Sequence, residues 1–402
     1  MKYQNRLSSD YLVIGCGVVG LSIGIALLSG NPRLKVRIVE KESYLGLHAS
    51  GRNSGVLHAG FYYSPESLKA KFCREGNQEL RKLAKKYQVP VRNVGKVVVA
   101  RNESENLRLD DLLERAITNG VDLELFNASK LKDFEPLAKT YERFLWSPST
   151  GISDPNSIIQ ALKVEFESLG GVINYTDEIT LDVKDNEVIE TTHRFVAKHY
   201  INAAGAQADR LSRKIGVGRE FAMVPFMGVY RATATSKLPI QRLVYPVPHI
   251  VNPFLGVHLT LTLDDKVKIG PTAIPIAGRE QYSTFTGWSF NDINQTLKGV
   301  SSIVRHDAHD FGSILRSEFP KFQLKSLVRE ASELVPNVID VSKWSKKPPG
   351  VRAQLVHLPT GKLVQDFIVS SHLNSTHVLN AVSPGWTSAL PFGKYVVENL
   401  TL

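Results

Sequence analysis

The sequence predicts an α/β protein: a Rossmann-like first domain and an α+β second domain built on a discontinuous antiparallel sheet. Three observations carry this. An apolar run at 11–14 leads into Gly15-x-Gly17-x-x-Gly20, a helix-like apolar stretch to Leu28, and a second strand at 36–40 that ends in an acid. Segments able to continue such a sheet recur at 199–212 and 376–400. Between them, residues 224–277 alternate in strand fashion and are punctuated by prolines.

Each part of the opening unit has a physical task. The glycines permit a tight turn and close approach of backbone to a pyrophosphate, and the following helix offers that anion its free N–H groups. Glu40 is placed to accept hydrogen bonds from ribose hydroxyls. The unit predicts a bound dinucleotide; a glycine turn serving only helix–sheet packing is the alternative. The helix stops at Ser29-Gly30-Asn31-Pro32. Residues 64–87 read as a helix, 95–100 as a strand and 103–119 as a helix. Asp154-Pro155 caps a helix that Gly170-Gly171 ends. Strand-like runs follow at 173–175, 188–191 and 195–204, the last entering Ala203-Ala204-Gly205 and a helix. Helices at 291–305 and 311–318 come next, and the final hundred residues return to strands before a closing helix. A glycine-containing turn ahead of that helix could aim N–H groups at an electron-rich ring oxygen. The pieces divide into 1–90, 145–220 and 345–402 for the nucleotide-binding domain, with 91–144 and 221–344 over it.

Composition narrows the function. The 402 residues, 43% hydrophobic and 22% charged, are those of an ordinary globular protein. Two cysteines, Cys16 and Cys73, fit a reducing compartment and a cytoplasmic protein. No His or Cys spacing suggests a metal site. No run reaches the roughly 18 apolar residues of a membrane span, and the first ten residues are too short and polar for a signal peptide. The net charge of +10 suits small anionic substrates or docking on an acidic membrane face. The basic residues are scattered without interleaved aromatics, which argues against nucleic acid.

The stretch HASGRNSGVLHAGFYY at 48–63 mixes glycines with proton- and anion-handling side chains. With the Gly15–Gly20 fingerprint, NAAGAQADR and SPGWTSALPFG, it resembles the D-amino-acid-oxidase-type FAD-dependent oxidoreductases. Within them SGRNSGVLHAGFYYSPESLKAKFCREG, VPFMGVY, LVYPVP, PFLGVH, KIGPTA and GVRAQL resemble the L-2-hydroxyglutarate dehydrogenases and oxidases in order and wording. The resemblance implies FAD and oxidation of L-2-hydroxyglutarate to 2-oxoglutarate, with a quinone, another respiratory carrier or oxygen as electron acceptor. It also implies peripheral contact with the inner face of a membrane as an option; oligomeric state is left open. Three departures stand out. Met227 and Val229 replace a charged pair of the family, Thr272 replaces Asn, and Gly385-Trp386 replaces small alanines. The first puts the identity of the acid in question.

On this resemblance the cofactor contacts fall on Gly15, Gly17, Val18, Val19, Gly20, Glu40 and Lys41. The 48–55 stretch adds His48, Ser50, Arg52, Asn53, Ser54 and Gly55, and later segments add Ala204, Gly205, Gly385 and Thr387. Hydride transfer from a secondary alcohol to flavin N5 needs a base for the hydroxyl proton and a guanidinium for the carboxylates. Arg352 is the expected clamp, with Arg52 as an alternative anion contact or a partner of the cofactor phosphates. His58 and His258 are the candidate bases, undecided between them. Tyr63, Tyr230 and Tyr245 are candidate hydroxyl donors to the substrate. Cys73 reads as structural. Non-covalent FAD is expected, although Cys16, His48 and His58 keep a covalent link open. The competing readings are another small amino- or hydroxy-acid oxidase of the superfamily and a non-catalytic flavoprotein.

Overall fold

The computed structural model describes residues 5–400 except 176–178, 183–186, 191–192, 249–255, 284–285 and 308–310. Thr191 of the predicted strand at 188–191, residues 253–255 of PFLGVH, and the first four residues lie outside the described residues.

The opening unit is β1 (Asn5–Ile14), α1 (Val18–Gly30) and β2 (Val36–Glu40). β1 is central, parallel both to β2 and to the strand His193–Asn202. Val172–Tyr175 extends the sheet beyond β2. On the other side, Ser375–Asn380 pairs in parallel with His193–Asn202. Leu21, Ile23, Leu27 and Leu28 bury α1, which packs against the helices Pro155–Ser168 and Ala389–Glu398. A helix covered on nearly all sides must be apolar all round, and this explains its uninterrupted VVGLSIGIALL.

The predicted helices appear with their caps. Ser67 accepts from Ala70 N ahead of Leu68–Lys86, Asn102 from Glu105 N ahead of Glu103–Thr118, and Asp154 from Ser157 N ahead of Pro155–Ser168. The final hundred residues are not only strands with a closing helix. Leu324–Ser332 is helical, with Leu327 and Ala331 buried on one face, and its single short amphipathic stripe is easily read as a strand–loop segment.

A second sheet stands over the first. Its strands run in the order Ser345–Lys346, Arg231–Ala234, Lys266–Gly270, His258–Leu261, Leu243–Pro246, Lys96–Val99, Arg143–Ser147 and Glu124–Asn127. A third, smaller sheet joins Phe221–Gly228 to Gly350–His357, in register from Phe221↔His357 to Gly228↔Gly350. Strand pairing therefore crosses position 345, where the sequence reading returns to the nucleotide-binding pieces. That crossing carries Arg352 from beside Phe226 into the space between the sheets.

Candidate active site

A cavity of about 780 Å³ lies between the sheets, in the size range of small-molecule and cofactor sites. Its first end is made of backbone. Gly15 has φ +104, and a Cβ there would come within 2.6 Å of Ala203 O. At Gly20 a Cβ would lie 1.9 Å from Gly15 O, so only glycine lets α1 start beneath the turn. Glu40 accepts from Cys16 N at 2.8 Å and from Glu42 N at 3.1 Å, locking the end of β2 to the turn. Val18 N donates to Ser50 Oγ at 3.1 Å, bringing the 48–54 loop over the helix N-terminus.

Gly15, Gly17, Val18, Val19 and Glu40 line this end, and Lys41, His48, Ser50, Arg52, Asn53 and Ser54 form its rim. Ala204 and Gly205 border it from the middle of the chain, Gly385 and Thr387 from the C-terminal turn. Gly20 and Gly55 are not lining residues. Gly20 supports the turn from below, and Gly55, at φ +76, lets the loop pass Ser153 O, which a Cβ would meet at 2.3 Å. Several rim side chains already bind protein. Arg52 donates through Nε to Leu47 O at 2.5 Å and lies 4.0 Å over the Tyr282 ring. Asn53 Nδ2 donates to Ser50 O at 2.6 Å within its own loop. His48 is hydrogen-bonded to Glu42 and to Tyr282, each at 2.8 Å. The ligand atoms of Glu42, His48 and Glu280 come within 4.8 Å of one another. The Lys41 ammonium, 2.6 Å from Glu280 and 3.2 Å from Glu42, already supplies positive charge there.

The other end is made of side chains. His58 sits in the floor, its N–H donating to Thr387 Oγ1 at 3.3 Å and its carbonyl accepting from Asn77 Nδ2 at 3.0 Å. The helix Leu68–Lys86 approaches closely enough for this because Gly76 lies under Thr387, whose carbonyl a Cβ would meet at 2.1 Å. His258, from the second sheet, stacks on Tyr245 with centroids 3.9 Å apart. Its Nδ1 is 3.0 Å from Gly256 O. Arg352 donates through Nε to Gln354 at 3.2 Å. His58, His258, Arg352, Tyr230 and Tyr245 all line the cavity. Tyr63 does not; it is half-buried beside Ser383 and Arg352.

Burial dominates the protonation states here. It pushes His58 down to about 3, helped by Lys96 and His258. His258 also falls to about 3 through burial, against the pull of its bond to Gly256. Both imidazoles are therefore neutral at physiological pH. Arg352 is lowered by burial to about 10, so it stays charged.

Three lysines missing from the sequence reading crowd this end. Lys96 is lowered by burial to about 7, and Lys69 to about 7 by burial and the nearby Arg352. Lys268 falls to about 8 through burial and Lys347, and donates to Ser54 O at 3.0 Å. Their signal was present: Lys96 opens an otherwise apolar strand, and Lys268 alternates with the apolar residues of KVKIG. A lysine on a strand normally reads as solvent-facing, which hid them.

Of the three family departures, Thr272 and Gly385-Trp386 line the cavity, whereas Met227 and Val229 do not. Phe226 and Gly228 line it instead, as strand alternation dictates. Thr272 donates through Oγ1 to Met227 O and accepts from Val229 N, both at 3.0 Å.

A family model described as FAD dependent oxidoreductase matches residues 10–399. The chain belongs to this FAD-dependent oxidoreductase family. It is 34% identical over 398 residues to L-2-hydroxyglutarate dehydrogenase of Escherichia coli K12, covering 97% of this chain and 93% of that one. A mitochondrial L-2-hydroxyglutarate dehydrogenase of Caenorhabditis elegans is 36% identical over 408 residues, covering 97% and 92%. Among solved structures, L-alpha-glycerophosphate oxidase from Mycoplasma pneumoniae with FAD bound superposes with TM-score 0.73 at 24% identity, covering 98% and 96%. Glycine oxidase from Geobacillus kaustophilus gives 0.71 at 19% identity, covering 98% and 94%. The protein is thus an FAD-dependent oxidoreductase, the enzyme class and cofactor that the sequence predicts.

The residues present fit that cofactor. Gly15, at a φ of +104 and too close to Ala203 O for any Cβ, lines one end of the cavity with Gly17, the α1 N-terminus and Glu40. Among the described residues no helix is long and apolar enough to cross a membrane.

Proposed function

We propose that the enzyme oxidises L-2-hydroxyglutarate to 2-oxoglutarate. The observation that carries this reading is one cavity end combining a half-buried guanidinium, Arg352, with two neutral imidazoles, His58 and His258. A 2-hydroxy diacid brings two negative charges and one hydroxyl proton, and this end offers a counterpart to each. The relatives that carry the L-2-hydroxyglutarate dehydrogenase name support this choice of substrate.

The Gly15–Gly20 turn and α1 would hold the pyrophosphate, Glu40 the ribose, and the 383–387 turn the ring system. When bound, FAD supplies the two-electron acceptance, through N5, that turns an alcohol into a ketone. The chain does the rest. Arg352 holds a substrate carboxylate in bidentate fashion and orients the carbon that loses hydride. Lys69 and Lys268 add positive potential that favours a dianion. His58, unprotonated and facing the cavity, takes the hydroxyl proton; His258 on the opposite wall is the alternative acceptor. Tyr230 and Tyr245 donate hydroxyls toward the substrate. A quinone, another respiratory carrier or oxygen then receives the electrons, with docking on the inner face of a membrane serving the quinone route.

Anaerobic mixing of the yellow protein with a panel of small acids tests this. L-2-hydroxyglutarate is expected to bleach the flavin absorbance. Bleaching by an amino acid in its place moves the enzyme to another substrate, and bleaching by none makes it a non-catalytic flavoprotein. Reoxidation by a short-chain quinone against oxygen then assigns the acceptor.

A further inference from the structure

Lys96 has no role in the chemistry described so far, yet it is among the most completely enclosed side chains of the protein. Its Nζ lies 4.4 Å from the ring centre of Tyr62, 4.5 Å from Phe61 and 4.9 Å from Tyr245. Buried lysines are normally paired with an acid. Here the groups facing the box are His58 and Tyr62 from the floor and Cys73 from the helix Leu68–Lys86, with Tyr245 and His258 from neighbouring strands. None of these is a carboxylate. Burial pushes the Cys73 thiol up to about 12, so it brings no negative charge either.

A second observation comes from hydrogen bonding. Lys96 Nζ, His58 Nδ1 and Tyr62 Oη are each buried without a hydrogen-bond partner among the described residues. Lone orphans are rare, and several in one place mark a spot for ordered water. His58 lines the substrate cavity, its Nδ1 is buried without a partner among the described residues, and Lys96 is near enough to disfavour its protonation.

We propose that Lys96 is a positioning residue that acts through His58, receiving from it the proton that leaves the substrate hydroxyl. The proposal rests on the function proposed above, in which His58 is the base. The substrate O–H bond breaks and its proton joins the cavity-facing nitrogen of His58. The proton on Nδ1 passes, directly or over one bound water, to the free amine of Lys96, which becomes an ammonium. The C–H bond breaks as hydride, taken up by the cofactor, and the C=O double bond forms; one proton and one hydride have left the alcohol. The three rings suit both states of Lys96: their faces stabilise the ammonium by cation–π attraction, and their bulk excludes an anion that would fix the charge. Burial places Lys96 near neutrality, where amine and ammonium are both populated.

The test compares FAD-loaded wild type with Lys96→Arg and Lys96→Met. Arginine keeps the charge but cannot give up its proton. In Lys96→Arg, anaerobic bleaching by L-2-hydroxyglutarate is expected to slow by about 100-fold, the size of a lost proton-transfer contribution. KM and FAD content should hold, and the ionisation near pH 7 should vanish from the pH–rate profile. In protein labelled with 15N-lysine, Lys69 and Lys268 should also titrate near or just above neutrality, and one of the resonances that do so should be missing from the arginine variant. A bleaching rate within about threefold of wild type, with an unchanged pH profile, would overturn the proposal and leave Lys96 as a fixed charge. So would a Lys96 resonance that does not titrate below pH 9. If Lys96→Met fails to fold, the arginine variant and the titration still decide. If wild type is bleached by a different acid, the substrate assignment falls, and the same comparison run with that acid still judges Lys96.

Discussion

The two ends of the cavity are built by different means. At the nucleotide end the fit is set by backbone: glycines where a Cβ would collide, a helix N-terminus, and one acid at a strand end. At the reaction end it is set by side chains from three separate places, namely the 48–63 stretch, the second sheet and the strand Gly350–His357. A backbone site tolerates no added atom, whereas a side-chain site tolerates substitution but changes its chemistry. The same cavity therefore has one end that fails by loss of binding and another that fails by loss of rate.

The strongest way to break this contrast is at the nucleotide end. Gly20→Ala should abolish FAD binding outright, giving colourless or insoluble protein, because the new Cβ meets Gly15 O at 1.9 Å; absorbance of the purified protein checks this. Arg352→Met should leave the protein yellow yet lower kcat/KM by about 100- to 1,000-fold, the size of a lost buried charge contact. Equal loss of flavin and substrate binding would make Arg352 structural and erase the distinction between the ends.

A pH experiment sharpens it further. His58 and His258 sit near 3 in the folded protein against about 6.5 unfolded. Between those values the unfolded chain carries more protons, so stability is complete above pH 6.5 and declines as pH falls. The slope steepens toward about 1.4 kcal/mol per pH unit for each imidazole. Denaturation midpoints at pH 7 and pH 5 should show the decline, and His58→Gln should remove its share. The smallest effect is expected at Met227, which faces away from the cavity: Met227→Leu should leave KM within about twofold, measured by steady-state kinetics.

The same contrast explains what could be read from the sequence. The nucleotide end is encoded locally, in Gly15-x-Gly17-x-x-Gly20 and Glu40, so its turn, helix and strand follow from neighbouring residues. His58, His258 and Arg352 could be named as candidates from the wording of their motifs. Their convergence depends on the pairing of 221–228 with 350–357 and on the stacking of His258 on Tyr245, and no local pattern specifies either. Lys96 and Lys268 were missed because a strand lysine is ordinarily solvated, and only the closure of a second layer over this sheet buries them. Met227 misled in the opposite sense: a lost charge suggests altered specificity until the pleat turns it away from the cavity.

Thr387 gives the architecture a consequence in time. It accepts from the His58 N–H and donates to Val56 O, across 329 and 331 positions of sequence. During synthesis the glycine turn and α1 emerge early, and the floor carrying His58 follows soon after. That floor lacks its anchor until residues near 387 have also left the ribosome. Because α1 also packs against the helix Ala389–Glu398, assembly of the active site is a late event even though its most recognisable residues are made first.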